Sequence, residues 1–200
     1  MQHFSDRCDQ VHLRIMRILQ AALGLTDCRL LSLCDSRNGE LRIAHYPPID
    51  IQRLQTGNTF RIAEHTDTGT LTLLFQDSVG GLEVERQDRH GEFLPVIASR
   101  QSEIIVNVGD TLQRWTGERL RSANHRVVAP QAMQASIGGI IPARLSIGFF
   151  GKANPEALMR TLEEFVDPDQ NITEKDDFTT ATEYYAGLQT KTFPEVTVNT

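Results

Sequence analysis

"AEHTDTGTLTLLFQD", residues 63–77, puts a histidine and an aspartate two residues apart at the head of an apolar, threonine-rich run. Side chains alternate between the faces of a strand, so His65 and Asp67 point the same way. A carboxylate buried beside an imidazole is costly unless something binds both, and a metal ion would. Leu71, Leu73 and Phe75 then alternate with threonines and Leu74, as a half-buried strand should. HxD alone is a weak signal, and a surface strand end with a turn aspartate accounts for it equally.

The surrounding chain reads as mostly β. Between residues 60 and 150, "RIAEH", "TLTLLFQ", "GLEVER", "FLPVI", "EIIVNVG", "HRVVAP" and "ARLSIGFF" are separated by Gly, Asp, Asn and Pro turns. Short strands with turns every ~8–12 residues point to a sandwich or barrel. Upstream, residues 3–23 carry Val11, Ile15, Ile18, Leu19 and Ala22 as one apolar helical stripe that Gly24 stops. Residues 30–49, "LLSLCDSRNGELRIAHYPPI", predict strand, turn, strand around Asn38-Gly39, ended by Pro47-Pro48. Downstream, 154–166 predicts a helix capped by Asn154 with Pro155 at its first position, and 179–193 a second helix. No repeat or low-complexity stretch divides residues 1–200, which read as a single domain.

Composition excludes some partners. A formal net charge of −6 gives no general attraction to nucleic acid or anionic membrane. The arginines at 114, 119, 121 and 126 read as a solvated face. No apolar run approaches the ~20 residues of a membrane span. Cys8, Cys28 and Cys34 show no CxxC spacing and read as reduced thiols of an intracellular protein. With no signal-peptide pattern at the start, the cytoplasm is the expected location.

His125, in "RSANHRVVAP", opens another strand-like run. Two histidines and a carboxylate on one cavity face make the facial triad that holds non-haem Fe(II) and leaves positions open. The other reading of His125 is a satisfied core histidine. His3 and His12 lie on the first helix and His90 in a charged turn, so they fit less well. His45 ends a strand and stays a candidate.

Taken together, "LRIAHYPPI" (41–49), "HTDTGTLTLLFQDSVGGLEV" (65–84), "NVGDTLQRWTGERLRSANHRVV" (107–128) and "ARLSIGFF" (143–150) resemble the 2-oxoglutarate-dependent Fe(II) dioxygenases. More narrowly they resemble the subgroup related to isopenicillin N synthase, over residues ~5–193. The resemblance implies a double-stranded β-helix, or jelly-roll barrel, mainly β with flanking helices. It implies His65, Asp67 and His125 as iron ligands. Arg144 and Ser146 match the Arg-x-Ser pair for the distal carboxylate of 2-oxoglutarate, and Tyr46 matches a tyrosine that helps hold this co-substrate. A guanidinium grips a carboxylate bidentately, and residues i and i+2 of a strand share a face. Gly109-Asp110 matches a tight turn between core strands, and Asn107 and Trp115 match residues read as structural, the other reading being that their side chains only line the cavity.

The implied activity couples oxidative decarboxylation of 2-oxoglutarate by dioxygen to hydroxylation, desaturation or cyclisation of a small molecule, in secondary metabolism. Two other readings go with it: an Fe(II) oxidase that needs no 2-oxoglutarate, and a shortened, non-catalytic chain or partner subunit.

Three departures from the pattern stand out. Members of the subgroup carry roughly a hundred more residues before the core, and a barrel without them would expose an edge free to pair with another chain. Ala44-His45-Tyr46 stands where plant members show Asn-x-Tyr. Residues 126–143 between His125 and Arg144 form a long connection, expected as a lid or a surface insertion.

Overall fold

A computed structural model describes residues 1–26, 28–55, 59–97, 100, 102–134, 136, 138–166 and 179–192. Helix α1 (Gln2–Ala22) is followed by a single 3-10 turn (Leu31–Leu33). Next come β1 (Glu40–Tyr46), β2 (Ile49–Asp50), the short α2 (Ile51–Gln55), β3 (Ile62–His65), β4 (Leu71–Gln76), β5 (Leu82–Glu85), β6 (Phe93–Pro95) and β7 (Ile105–Val108). After α3 (Asp110–Trp115) follow β8 (His125–Val127), α4 (Gln131–Gln134), β9 (Ile140–Ile141) and β10 (Arg144–Phe150). A 3-10 turn (Glu163–Phe165) and α5 (Ala181–Thr192) complete the described chain.

The strands pair antiparallel in two four-stranded sheets, β1-β10-β4-β7 and β3-β8-β5-β6, with β2-β9 as a separate pair. The two sheets wall a cavity of about 890 Å³. This is the expected jelly roll.

Helix α1 covers the outer face of the first sheet, where Cys8, Val11 and Ile15 pack on Leu73 and Phe149. Burying side chains of that size contributes about 1.5–3 kcal/mol each. The predicted stripe is only partly the inward one: Val11, Ile15 and Leu19 pack on the core, but Ile18 and Ala22 are exposed and the most buried line lies beside it. Cys8, Asp9, His12, Met16 and Gln20 face inward, while Ile18 is 67% exposed. Each polar residue turned inward has its own partner, which an apolar pattern cannot reveal. His12 Nε2 meets Thr70 Oγ1 at 2.8 Å, Gln20 Oε1 accepts from Leu30 N at 2.8 Å, and Asp9 pairs with Arg37 at 3.5 Å.

Two predicted elements are absent. Residues 30–39 form no strand; Asn38 donates to Ala153 O at 2.9 Å, so Asn38-Gly39 docks the chain instead of turning a hairpin. Residues 154–162 form no helix. Asn154 caps nothing; its Nδ2 reaches Ser32 O and Asp35 Oδ1, and its Oδ1 accepts from Ser36 N. The backbone beyond is claimed by tertiary partners. Trp115 Nε1 donates to Leu158 O, Leu162 N to Trp115 O, and Met159 N to Thr179 O. Ala157, Met159, Leu162 and Phe165 are buried around Trp115 as an irregular segment. The second predicted helix forms as α5, and position 193 lies outside the described residues.

The 126–143 connection is largely folded. In its described part, β9 pairs with β2, and Ala129, Met133 and Ile141 pack on Ile49, Ile51 and Leu54 in a satellite core.

Candidate metal centre

His65 ends β3 and His125 opens β8, and the two are register partners. The pairing is irregular between Ile62 and His65, and such a bulge re-aims a side chain toward a site. Asp67 follows two residues after His65 and is 7% exposed. One donor atom from each of the three lies within 4.8 Å of the other two.

Their hydrogen bonds fix what those atoms present. His65 Nδ1 meets Ala63 O and His125 Nδ1 meets Ala123 O, each at 2.8 Å. A carbonyl only accepts, so each Nδ1 carries the proton in the neutral ring and each Nε2 offers a lone pair. Both Nε2 atoms stand 3.9 Å from Asp67 Oδ1. With both rings neutral, three lone-pair donors converge with no hydrogen among them. That arrangement repels itself unless a cation sits within it, and two imidazoles plus one carboxylate suit Fe(II).

Asp67 is held from behind. Thr72 Oγ1 and Asn107 Nδ2 both donate to its Oδ2, at 2.6 and 2.8 Å. Asp110 N donates to Asp67 O at 2.7 Å. Gly109 packs so tightly on this turn that an added Cβ would lie 2.8 Å from Asp67 O. Thr66 turns away, its hydroxyl donating to Asp110 Oδ2 at 3.0 Å. Asn107 is thus no mere structural residue: it orients a donor. An asparagine inside the apolar run "IIVNVG" was the available signal, since strands disfavour it. Gly109-Asp110 does not turn between strands but starts α3.

Arg144, Ser146 and Tyr46 line the same cavity. Arg144 is 1% exposed, its Nη2 donates to Gln76 Oε1 at 2.8 Å, and its guanidinium lies 5.0 Å from the centre of the Tyr46 ring. Its buried Nε and Nη1 have no partner among the described residues. Unmet donors on a buried cation are expensive, and an entering carboxylate would satisfy them. Arg61 adds positive charge nearby. Burial, and then the Arg144 guanidinium, lowers the Arg61 pKa. The residues present therefore fit both Fe(II) and a dicarboxylic keto acid.

The remaining candidates lie elsewhere. His45 is exposed on β1 and lines no part of the cavity, whose β1 wall is Glu40, Arg42, Ala44 and Tyr46. His90 pairs with Glu85 at 2.6 Å. His12 is buried under α1. Of the four arginines read as a solvated face, Arg119 stacks on Phe165, Arg126 pairs with Glu83 at 2.9 Å, and Arg121 lines the cavity. Among the described residues no helix is long and apolar enough to cross a membrane.

Comparison with known proteins agrees with this geometry. The family model of the 2OG-Fe(II) oxygenase superfamily matches residues 38–152. A proline hydroxylase of Petromyces alliaceus is 45% identical over 179 residues, covering 90% of this chain and 55% of its own length. A 2-oxoglutarate-dependent dioxygenase of Aspergillus rugulosus is 41% identical over 96% of this chain and 58% of its own. A full-length Neurospora crassa protein, crystallised in complex with alpha-KG, superposes with a TM-score of 0.80 at 28% identity, covering 96% of this chain and 56% of that one. The chain spans about half the length of the curated relatives it matches. It belongs to the 2-oxoglutarate–Fe(II) oxygenase superfamily.

Proposed function

We propose that this member of the 2-oxoglutarate–Fe(II) oxygenase superfamily oxidises a small organic molecule of secondary metabolism, with 2-oxoglutarate and dioxygen as co-substrates. One observation carries the reading: three hydrogen-free donor atoms converge on one point of a cavity whose other end holds a buried, half-satisfied arginine. Bound Fe(II) and 2-oxoglutarate supply the oxidising chemistry, with succinate and carbon dioxide as co-products and a hydroxylated, desaturated or cyclised substrate.

The chain's own residues supply position. His65, Asp67 and His125 would hold Fe(II). Arg144 and Ser146 receive the distal carboxylate, and Tyr46 packs beside the guanidinium. Thr72 and Asn107 keep Asp67 aimed. We read residues 1–200 as one such domain and the cytoplasm as its location.

The test is succinate formation by the purified chain with Fe(II), 2-oxoglutarate and a panel of small metabolites. Substrate-stimulated succinate in wild type and its loss in His125→Ala is the expected result. Equal succinate from both proteins would overturn the proposal. Substrate oxidation without added 2-oxoglutarate would point to the oxidase chemistry.

A further inference from the structure

The cavity has two cationic poles, and the co-substrate accounts for one. Along the inward faces of β1 and β10 stand Glu40, Arg42, Ala44 and Tyr46, and Arg144, Ser146, Gly148 and Phe150, with Lys152 just beyond. At the second pole Glu40 Oε1 accepts from Arg42 Nη2 at 2.7 Å and Glu40 Oε2 from Lys152 Nζ at 2.8 Å. The Arg42 guanidinium lies 5.2 Å from the centre of the Phe150 ring. We propose that Arg42 and Lys152, bridged by Glu40, anchor a carboxylate of the substrate. This rests on the reading that 2-oxoglutarate occupies the Arg144 end.

Four observations lead there. First, the trio lines the open mouth of the cavity, with the Arg42 side chain 65% exposed, while Leu41 between Glu40 and Arg42 packs under α1 on the opposite face. Ion pairs this exposed add little to the stability of the fold. Second, the trio is unbalanced, with two cations on one carboxylate. The Lys152 hydrogen bond, then that of Arg42, holds the Glu40 pKa below its ordinary value, so the net charge is +1. One monoanion completes it, and Arg42 offers a planar fork for a carboxylate.

Third, the two poles are separate along the wall. Arg42 is register partner of Gly148, four residues along β10 from Arg144, or about 13 Å between backbones at strand rise. Fourth, the second pole stands at the level of the metal. Thr72, which holds Asp67, is the register partner of Phe150. A molecule tethered there lies over the triad. Room for it comes from Ala44 and Gly148; a Cβ on Gly148 would press on the Phe150 ring at 2.9 Å.

The test is saturation-transfer NMR on the full chain with matched pairs: 3-phenylpropionate against 3-phenylpropionamide, and L-proline against L-prolinamide. At least one acid should bind at least tenfold more tightly than its amide. Arg42→Met and Lys152→Met should each weaken the acid about tenfold or more, the range of a lost charge-assisted hydrogen bond. Lys152→Arg should retain the preference. Neither variant should alter the visible band formed by anaerobic Fe(II) and 2-oxoglutarate, which reads the other pole. Acids that bind no better than amides, acids that do not bind, or variants equal to wild type would overturn the anchor. Absence of the band in wild type, with the acid preference intact, would instead overturn the 2-oxoglutarate reading and leave a carboxylate site.

Discussion

Asn107 Nδ2 donates to Asp67 Oδ2 at 2.8 Å, across two strands and 40 residues of chain. With Thr72 on the same oxygen, it leaves Oδ1 facing the two imidazoles. Such partners of a metal-binding carboxylate typically account for about 10–100-fold in metal affinity. Asn107→Ala should weaken Fe(II) binding by about that factor, measured by anaerobic titration, while Asn107→Gln recovers part of it. Unchanged affinity in Asn107→Ala would show that Thr72 alone suffices.

Arg144 is built for a ligand more than for the fold. Its buried Nε and Nη1 lack partners, so replacing the whole side chain removes a burden along with a charge. Arg144→Met should reduce 2-oxoglutarate affinity about 100-fold or more, the loss of a bidentate charged pair, with Fe(II) affinity unchanged. Thermal melting of the ligand-free variant should equal or exceed that of wild type.

His12 predicts an acid-sensitive fold. Thr70 Oγ1 donates its only proton to Gly151 O at 3.0 Å, so it accepts from His12 Nε2, and His12 Nδ1 is left buried without a partner. Burial lowers the His12 pKa from 6.5 to about 4. Above pH 6.5 the ring is neutral in folded and unfolded chain alike, and its contribution is complete. As pH falls from 6.5 toward about 4, only the unfolded chain takes up the proton, so stability declines, by about 3 kcal/mol at the limit. Denaturant unfolding at stepped pH should show that decline, and His12→Gln should flatten it.

Gly109→Ala tests the turn behind the metal. A Cβ there would meet the backbone oxygens of both Gly69 and Asp67, which have no flexible side chain to yield. The variant should lose Fe(II) binding and several degrees of melting temperature, since a strain of about 1–3 kcal/mol shifts a domain of this size by ~2–4 °C per kcal/mol.

Much of this was legible in the chain because strand alternation survives folding. Leu71, Leu73 and Phe75 turn one way toward α1, while Thr72 and Leu74 turn the other way into the cavity, as period 2 requires. His65, Asp67 and His125 converge, but not by strand alternation: β3 ends at His65 with an irregular register, and Asp67 lies in the connection beyond it. The failures share a cause. Asn154, Asn38, His12 and Gln20 spend their polar groups on partners distant in sequence or on neighbouring turns, so local propensity misassigned a helix, a hairpin and part of a buried face. The Glu40–Arg42–Lys152 group was invisible for the same reason: it exists only once β1 and β10 share a wall.

The most direct test is anaerobic titration of the purified chain with Fe(II) and then 2-oxoglutarate, followed in the visible spectrum. A weak metal-to-ligand band that saturates with one equivalent of each, and that is lost in His125→Ala and weakened in Arg144→Met, is the predicted result. Fe(II) binding without any band would contradict the keto-acid site, and failure to bind Fe(II) at all would contradict the metal centre itself.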